Sequence, residues 1–161
     1  SKLEKILQWL SPPDYSTNHS EARKKHKHGT GEWLLRCREY QDWISGSSSS
    51  LWLHGKAGCC KTVLCSIIIK NISAKLPSLG DAVLSYFYFS FANNAKQSYA
   101  SLLLSMVTQL SRKRPIHPTL TAAYDESQPN RPNVSTLEGI LIALVRRVKI
   151  SYLVIDALDE C

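Results

Sequence analysis

Long apolar runs are missing from these 161 residues. No stretch approaches the ~20 residues that a membrane-spanning helix needs, and no basic, then apolar, then small-residue leader opens the chain. The five cysteines, Cys37, Cys59, Cys60, Cys65 and Cys161, form no C-x-x-C pair. Without a partnered His spacing they predict neither a disulfide framework nor a zinc site, and an adjacent Cys59–Cys60 bridge would be strained. Free thiols in a reducing compartment are expected, with the cytoplasm as the location. Internal repeats are lacking too.

Negative charge is in short supply. Twenty Lys and Arg against thirteen Asp and Glu give a formal net charge of +7 and a pI near 9.2. Two clusters carry much of it, Arg23-Lys24-Lys25-His26-Lys27-His28 and Arg112-Lys113-Arg114. The first is open to nucleic acid, an acidic membrane or nucleotide phosphates, against the ordinary reading of a solvated face. Its surroundings lack the interleaved aromatics of a single-strand binder, so no specific nucleic acid partner is expected. What remains, 43% hydrophobic and 20% charged, fits one globular domain. The chain starts at Ser1 without an initiator Met and stops at Cys161, one residue after an acidic cluster, so a piece of a longer protein is expected.

The most informative stretch is Gly55-Lys56-Ala57-Gly58-Cys59-Cys60-Lys61-Thr62, which follows the apolar Leu51-Trp52-Leu53. The phosphate-loop pattern G-x-x-x-x-G-K-[ST] works because small residues let successive N–H groups curl around an anion. The lysine then reaches the β- and γ-phosphates, and the hydroxyl residue ligates Mg²⁺. Gly55, Lys61 and Thr62 fill their places; Cys60 stands where the last glycine belongs. The motif requires a strand before the loop and a helix after it, here Thr62 to about Lys75. A plain Gly-rich turn between strand and helix is the competing explanation.

A second segment answers the first. Ser151 to Glu160 reads Ser-Tyr-Leu-Val-Ile-Asp-Ala-Leu-Asp-Glu, a buried parallel strand ending in carboxylates. A carboxylate at the C-terminal end of such a strand lies where ligands sit in open α/β sheets. Downstream of a Lys-Thr loop, it reads as the Mg²⁺-side acid of one shared site.

Along the chain, Leu3, Ile6, Leu7 and Leu10 predict a helix that Ser11-Pro12-Pro13 stops. Asp14 to His28 lacks any period and suits a loop. Gly29-Thr30-Gly31 is a turn in which Thr30 caps a helix with Trp33, Leu34, Cys37, Tyr40 and Ile44 on one face. Gly46 and Ser47–Ser50 form a linker. Ala82 to Phe91 has the β-branched and aromatic signature of a strand, and Leu102, Leu103, Met106, Val107 and Leu110 mark a buried helix face. Pro115 to Asn133 is mostly loop, with room for one short helix. Ser135 and Glu138 stand at capping-box spacing before a helix over Leu137 to Val148. Alternating strands and helices predict an α/β fold with a mostly parallel sheet.

Together these residues resemble the NACHT group of P-loop NTPases, of the STAND signal-transduction class. The likeness is closest to fungal NACHT proteins with a nephrocystin-3-like N-terminal module. The features that narrow the choice are Trp9-Leu10-Ser11-Pro12, then Gly29-Thr30-Gly31-Glu32-Trp33-Leu34-Leu35, Trp43, the Ser101-Leu102-Leu103 through Gln109-Leu110 helix, and Ile155 to Glu160. The resemblance implies a P-loop three-layer sandwich cut after the acidic strand. Residues 1–49 would be a helical lead-in and 50–161 the N-terminal part of the NACHT domain. It further implies ATP (or GTP) and Mg²⁺ as cofactors.

By position, the resemblance implies that the backbone of Gly55, Lys56, Ala57, Gly58, Cys59 and Cys60 cradles phosphates and that Lys61 neutralises them. Thr62 and Asp156 would hold Mg²⁺, Asp159 (then Glu160) would polarise water, and Gly29 and Thr30 would lie beside adenine and ribose. The parent would be an NTPase switch that self-associates and carries C-terminal repeats. In the family a further strand lies between the loop strand and the acidic strand, so these residues alone are expected to be inactive and prone to aggregate.

Cys60 departs from the pattern. A side chain there implies strain of ~1–3 kcal/mol, and ~1.4 kcal/mol weakens binding tenfold. The alternative to the switch is therefore a degenerate scaffold with weak or no nucleotide binding that acts through protein interactions.

Overall fold

The computed structural model describes residues 1–56, 60–90, 93–96 and 98–156. Eight α-helices run through the described residues: α1 (Lys2–Leu10), α2 (Ser16–Lys25), α3 (Glu32–Arg36), α4 (Arg38–Ile44), α5 (Lys61–Lys75), α6 (Tyr99–Arg112), α7 (Pro118–Ser127) and α8 (Val134–Arg146). The two described strands, β1 (Ala82–Tyr88) and β2 (Ile150–Asp156), pair in parallel. Ala82 stands opposite Ile150 and Tyr88 opposite Asp156. The chain is thus α/β, with helices on both faces of a two-stranded sheet.

Side-chain alternation assigns the faces. Val83 packs with α1, α6, α7 and α8 in a core that includes Leu103, Val107, Leu120, Leu137, Ile140 and Leu144. Tyr88, Tyr152 and Val154 turn the other way, against Leu34 of α3, Tyr40 of α4 and Ile68, Ile69 and Ile72 of α5. Gln109 closes one edge of β1: its Oε1 accepts from Tyr86 N at 3.0 Å and its Nε2 donates to Tyr86 O at 2.7 Å. Below the first rung, the Asp81 carboxylate accepts from Arg114 at 2.5 Å and from Lys149 N at 3.0 Å. The Asp81 carbonyl accepts from Ile150 N at 3.1 Å.

Five expectations are corrected. The span expected as a loop from Asp14 to His28 contains α2. Only Ala22 of that helix is buried, which is why no period is visible. Asp14 steadies its start by accepting from Ser16 N at 2.9 Å and from the Thr17 hydroxyl, and these bonds hold the Asp14 carboxyl down to about 2. The expected helix after Gly31 is two helices, broken at Cys37 in extended geometry (φ −69°, ψ 152°). The break buries Leu34 and Tyr40 and leaves Trp33 58% exposed. Thr30 does not cap α3; Gly31 holds the N-cap position at φ 78°, with no side-chain bond.

Ser135 and Glu138 form no capping box either. Asn133 caps α8 by accepting from Thr136 N at 2.8 Å, a stronger N-cap placed two residues earlier. Finally, residues 51–54 form no strand, because they have no ladder partner among the described residues. The strand expected over Ala82 to Phe91 is assigned through Tyr88; Phe91 lies outside the described residues. No helix among the described residues is long and apolar enough to cross a membrane.

Candidate functional site

The end of a strand and the start of a helix meet at one corner of the sheet. β2 delivers Asp156 at its C-terminal end, on the face shared with Tyr152 and Val154. α5 starts directly beneath it, with N–H groups that lack helical partners and the positive end of its dipole. Thr62 Oγ1 donates to Asp156 Oδ2 at 2.8 Å, and Cys65 Sγ donates to Oδ1 at 3.6 Å. Asp156 is buried, and no described Lys, Arg or His forms an ion pair with it. Burial first, then the neighbouring Asp156 charge, pushes the Cys65 thiol far above its ordinary range. It is a proton donor here, not a thiolate.

Lys61 Nζ donates to the Gly55 carbonyl at 3.3 Å. Cys60 precedes it in the left-handed region, at φ 58° and ψ 29°, a conformation in which a Cβ crowds the following carbonyl at a cost of roughly 1–2 kcal/mol. Its carbonyl still accepts from Leu64 N at 3.0 Å, so α5 begins where a glycine would have begun it.

Asp156 forms the wall between two cavities. One, of about 260 Å³, lies between residues 51–55 and the last residues of β2; Trp52, His54, Gly55, Lys61, Leu153 and Asp156 border it. The other, of about 210 Å³, lies between α2 and the ends of β1 and β2; Asn18, Glu21, Lys25, Thr62, Tyr88 and Asp156 border it. Among the described residues, no group of three or more His, Cys, Asp or Glu gathers to hold a metal unaided.

Of the residues picked from sequence, Lys61, Thr62, Gly55 and Asp156 come together around this corner. Lys56 and Cys60 are exposed beside it. Gly29 and Thr30 sit in an exposed turn in which His26 Nε2 donates to the Thr30 carbonyl at 2.7 Å, and they border neither cavity. Their neighbour Gly31 is pressed onto α5: a Cβ there would stand 2.7 Å from Ile67 Cδ1 and 2.9 Å from Leu64 Cδ2. Ala57, Gly58, Cys59, Asp159 and Glu160 lie outside the described residues. The sequence reading missed Cys65, although its position one helical turn after Thr62 was an available signal. It left the Arg23–His28 cluster open to nucleotide phosphates, among other partners, but did not foresee the helix α2 that brings Lys25 to the cavity.

Comparison with known proteins adds a family. The family model described as Nephrocystin 3, N-terminal matches residues 29–161. The vegetative incompatibility protein HET-E-1 of Podospora anserina is 27% identical over 137 residues, which cover 80% of this chain and 10% of that protein. The chain therefore spans about a tenth of the length of this curated relative. No solved structure matches.

Proposed function

The chain belongs to the nephrocystin 3, N-terminal family, and from that premise we propose that it is the nucleotide-binding part of a NACHT-type signalling switch. The observation that carries the reading is the 2.8 Å bond from Thr62 to Asp156, which joins the phosphate-loop helix to the acidic strand beside the cavity that Lys61 borders. Among the described residues the buried carboxylate accepts from a hydroxyl and a thiol and makes no ion pair. A hard ion with oxygen ligands, completed by phosphates, matches that donor set. Magnesium would be held by Thr62 and Asp156, and it would neutralise charge on the β- and γ-phosphates of ATP, or less favourably of GTP.

This chain's own residues do the rest. The backbone from Gly55 to Cys60 and the first N–H groups of α5 receive phosphate oxygens. Lys61 exchanges its Gly55 carbonyl for the β- and γ-phosphates. Asp159, with Glu160 second, orients water for slow hydrolysis. Gly29 and Thr30 lie toward the base and ribose, with the Gly31–α5 contact fixing that turn to the phosphate helix. Residues 1–49 act as the lead-in and 50–161 as the start of a P-loop sandwich. The cavity between residues 51–55 and β2 receives a further strand of the parent chain and so completes the sheet. Nucleotide exchange or hydrolysis then controls self-association, with C-terminal repeats sensing the trigger.

A second reading, a scaffold that has lost nucleotide binding, draws on Cys60 in its strained left-handed conformation. One experiment separates the two. Under the switch reading, the full-length protein binds a labelled ATP analogue in a Mg²⁺-dependent manner and Lys61→Ala abolishes binding. Under the scaffold reading the wild type fails to bind, and Cys60→Gly restores what the side chain blocks.

A further inference from the structure

The polar cavity under α2 has more positive charge around it than its partners explain. Lys96 is only 6% exposed, yet its Nζ donates to the neutral Asn18 Oδ1, and Asn18 borders the cavity. No carboxylate pairs with Lys96 among the described residues. On the same helix as Asn18, one guanidinium nitrogen of Arg23 is fully enclosed without a hydrogen-bond partner among the described residues, though Arg23 does not border the cavity. Lys25, a third cation, borders the cavity directly. A buried ammonium facing an amide oxygen, and a guanidinium with an orphaned donor on the helix that carries that amide, are each unfavourable unless something anionic arrives. Across from α2, the wall is Thr62, Val63, Tyr88, Phe89 and Asp156.

The carboxylates on this cavity narrow the choice of anion. Glu21 and Asp156 both border it, and they would repel a bare anion. They tolerate one that arrives with a divalent cation. We infer that the cavity receives the terminal phosphoryl group of a magnesium-bound nucleoside triphosphate, and that Lys25 on its wall, with Lys96 held behind that wall by Asn18, distinguishes triphosphate from diphosphate. This rests on the nucleotide reading above and extends it to a wall of the site that lies before the family match begins at Gly29. The basic segment that resembles a polyanion patch in sequence then has a defined task. Helix α2 closes on the phosphoryl oxygens when they are present and loosens when they are gone, so the lead-in carries the state of the nucleotide to the rest of the parent.

The test uses the full-length protein and compares a non-hydrolysable ATP analogue with ADP, both with Mg²⁺. Lys96→Gln, which keeps a hydrogen-bonding group toward Asn18, weakens the triphosphate on the order of tenfold, as loss of a charge-assisted contact would. It leaves ADP within about twofold, a difference too small to reflect a lost charged contact. Lys25→Ala, at an exposed position, shows the same selectivity in smaller degree and decides the matter if Lys96→Gln does not fold. Equal loss for both nucleotides in the folded variants, or no loss for either, overturns the inference. If the wild type binds neither nucleotide, amide exchange of α2 is measured with inorganic phosphate and Mg²⁺. Protection that Lys96→Gln removes leaves the anion site standing and overturns the nucleotide reading; no protection overturns both.

Discussion

The two faces of the sheet are built to different standards. On one, α1, α6, α7 and α8 close over Val83 with side chains such as Leu120, Leu137, Ile140 and Leu144, each 1% exposed or less. On the other, α5 also buries its isoleucines, but the corner above it keeps a buried carboxylate, two cavities, a left-handed Cys60 and a Trp52 that is 66% exposed. Interior packing stabilises the first face. The second accepts gaps and strain in the places where a ligand would supply the missing contacts. One side holds the domain together so that the other can remain unfinished.

Truncating the sealed face should have the largest effect. Leu137→Ala leaves a cavity that its tightly packed neighbours fill poorly, for an expected loss of about 2–5 kcal/mol. Trp52→Ala on the open face should stay within ~0.5 kcal/mol. Chemical denaturation of the two variants checks the contrast, and equal losses would remove it. Gly31→Ala should come next, since its Cβ would meet Leu64 and Ile67 below 3 Å at a positive φ, costing about 1–3 kcal/mol. Hydrogen exchange should then rise in α3 and in the first turns of α5 while α8 stays protected.

The smallest effect concerns pH. His19 bonds Tyr88 Oη at 3.0 Å and lies against the Tyr86 ring, and burial, then the Arg23 charge, lowers its pKa from the ordinary 6.5. A depressed histidine means that the unfolded chain binds the proton more readily. Stability is therefore complete above the ordinary value and declines as pH falls below it. Exchange of α2 amides should accelerate between pH 7 and roughly 5.5, around the ordinary histidine range, and His19→Phe should remove that dependence. A flat profile in the wild type would place α2 with the sealed face instead.

Much of this architecture was legible where one face of an element meets the core. Leu102, Leu103, Met106, Val107 and Leu110 announced α6 because the helical period survives in them. The apolar run through Ile155 announced β2 because both faces of the sheet are covered. α2 was not legible: a helix that buries only Ala22 and docks through His19 leaves no periodic trace. The caps misled in another way. Thr30 and Ser135 are reasonable N-caps by residue type, but Gly31 and Asn133 occupy the positions, and the choice depends on where the chain must turn. Residues 51–54 have strand composition without a strand, because a ladder needs a partner that composition does not supply. Of the site, the meeting of Thr62 with Asp156 followed from motif logic, whereas Cys65 and the α2 wall depend on tertiary contacts that the motifs do not encode.

The Asp81 arrangement at the opposite end of the ladder has a bearing on all of this. By gripping Arg114, the Lys149 amide and the Ile150 amide together, it fixes which residue of the second strand counts as the first rung. Six rungs later that choice decides whether a carboxylate or an isoleucine looks down on Thr62, since a slip of one would present Ile155 or Ala157 in its stead. The geometry of the upper corner is thus set by an anchor about 20 Å away, at ~3.3 Å per residue, in a part of the molecule with no chemistry of its own.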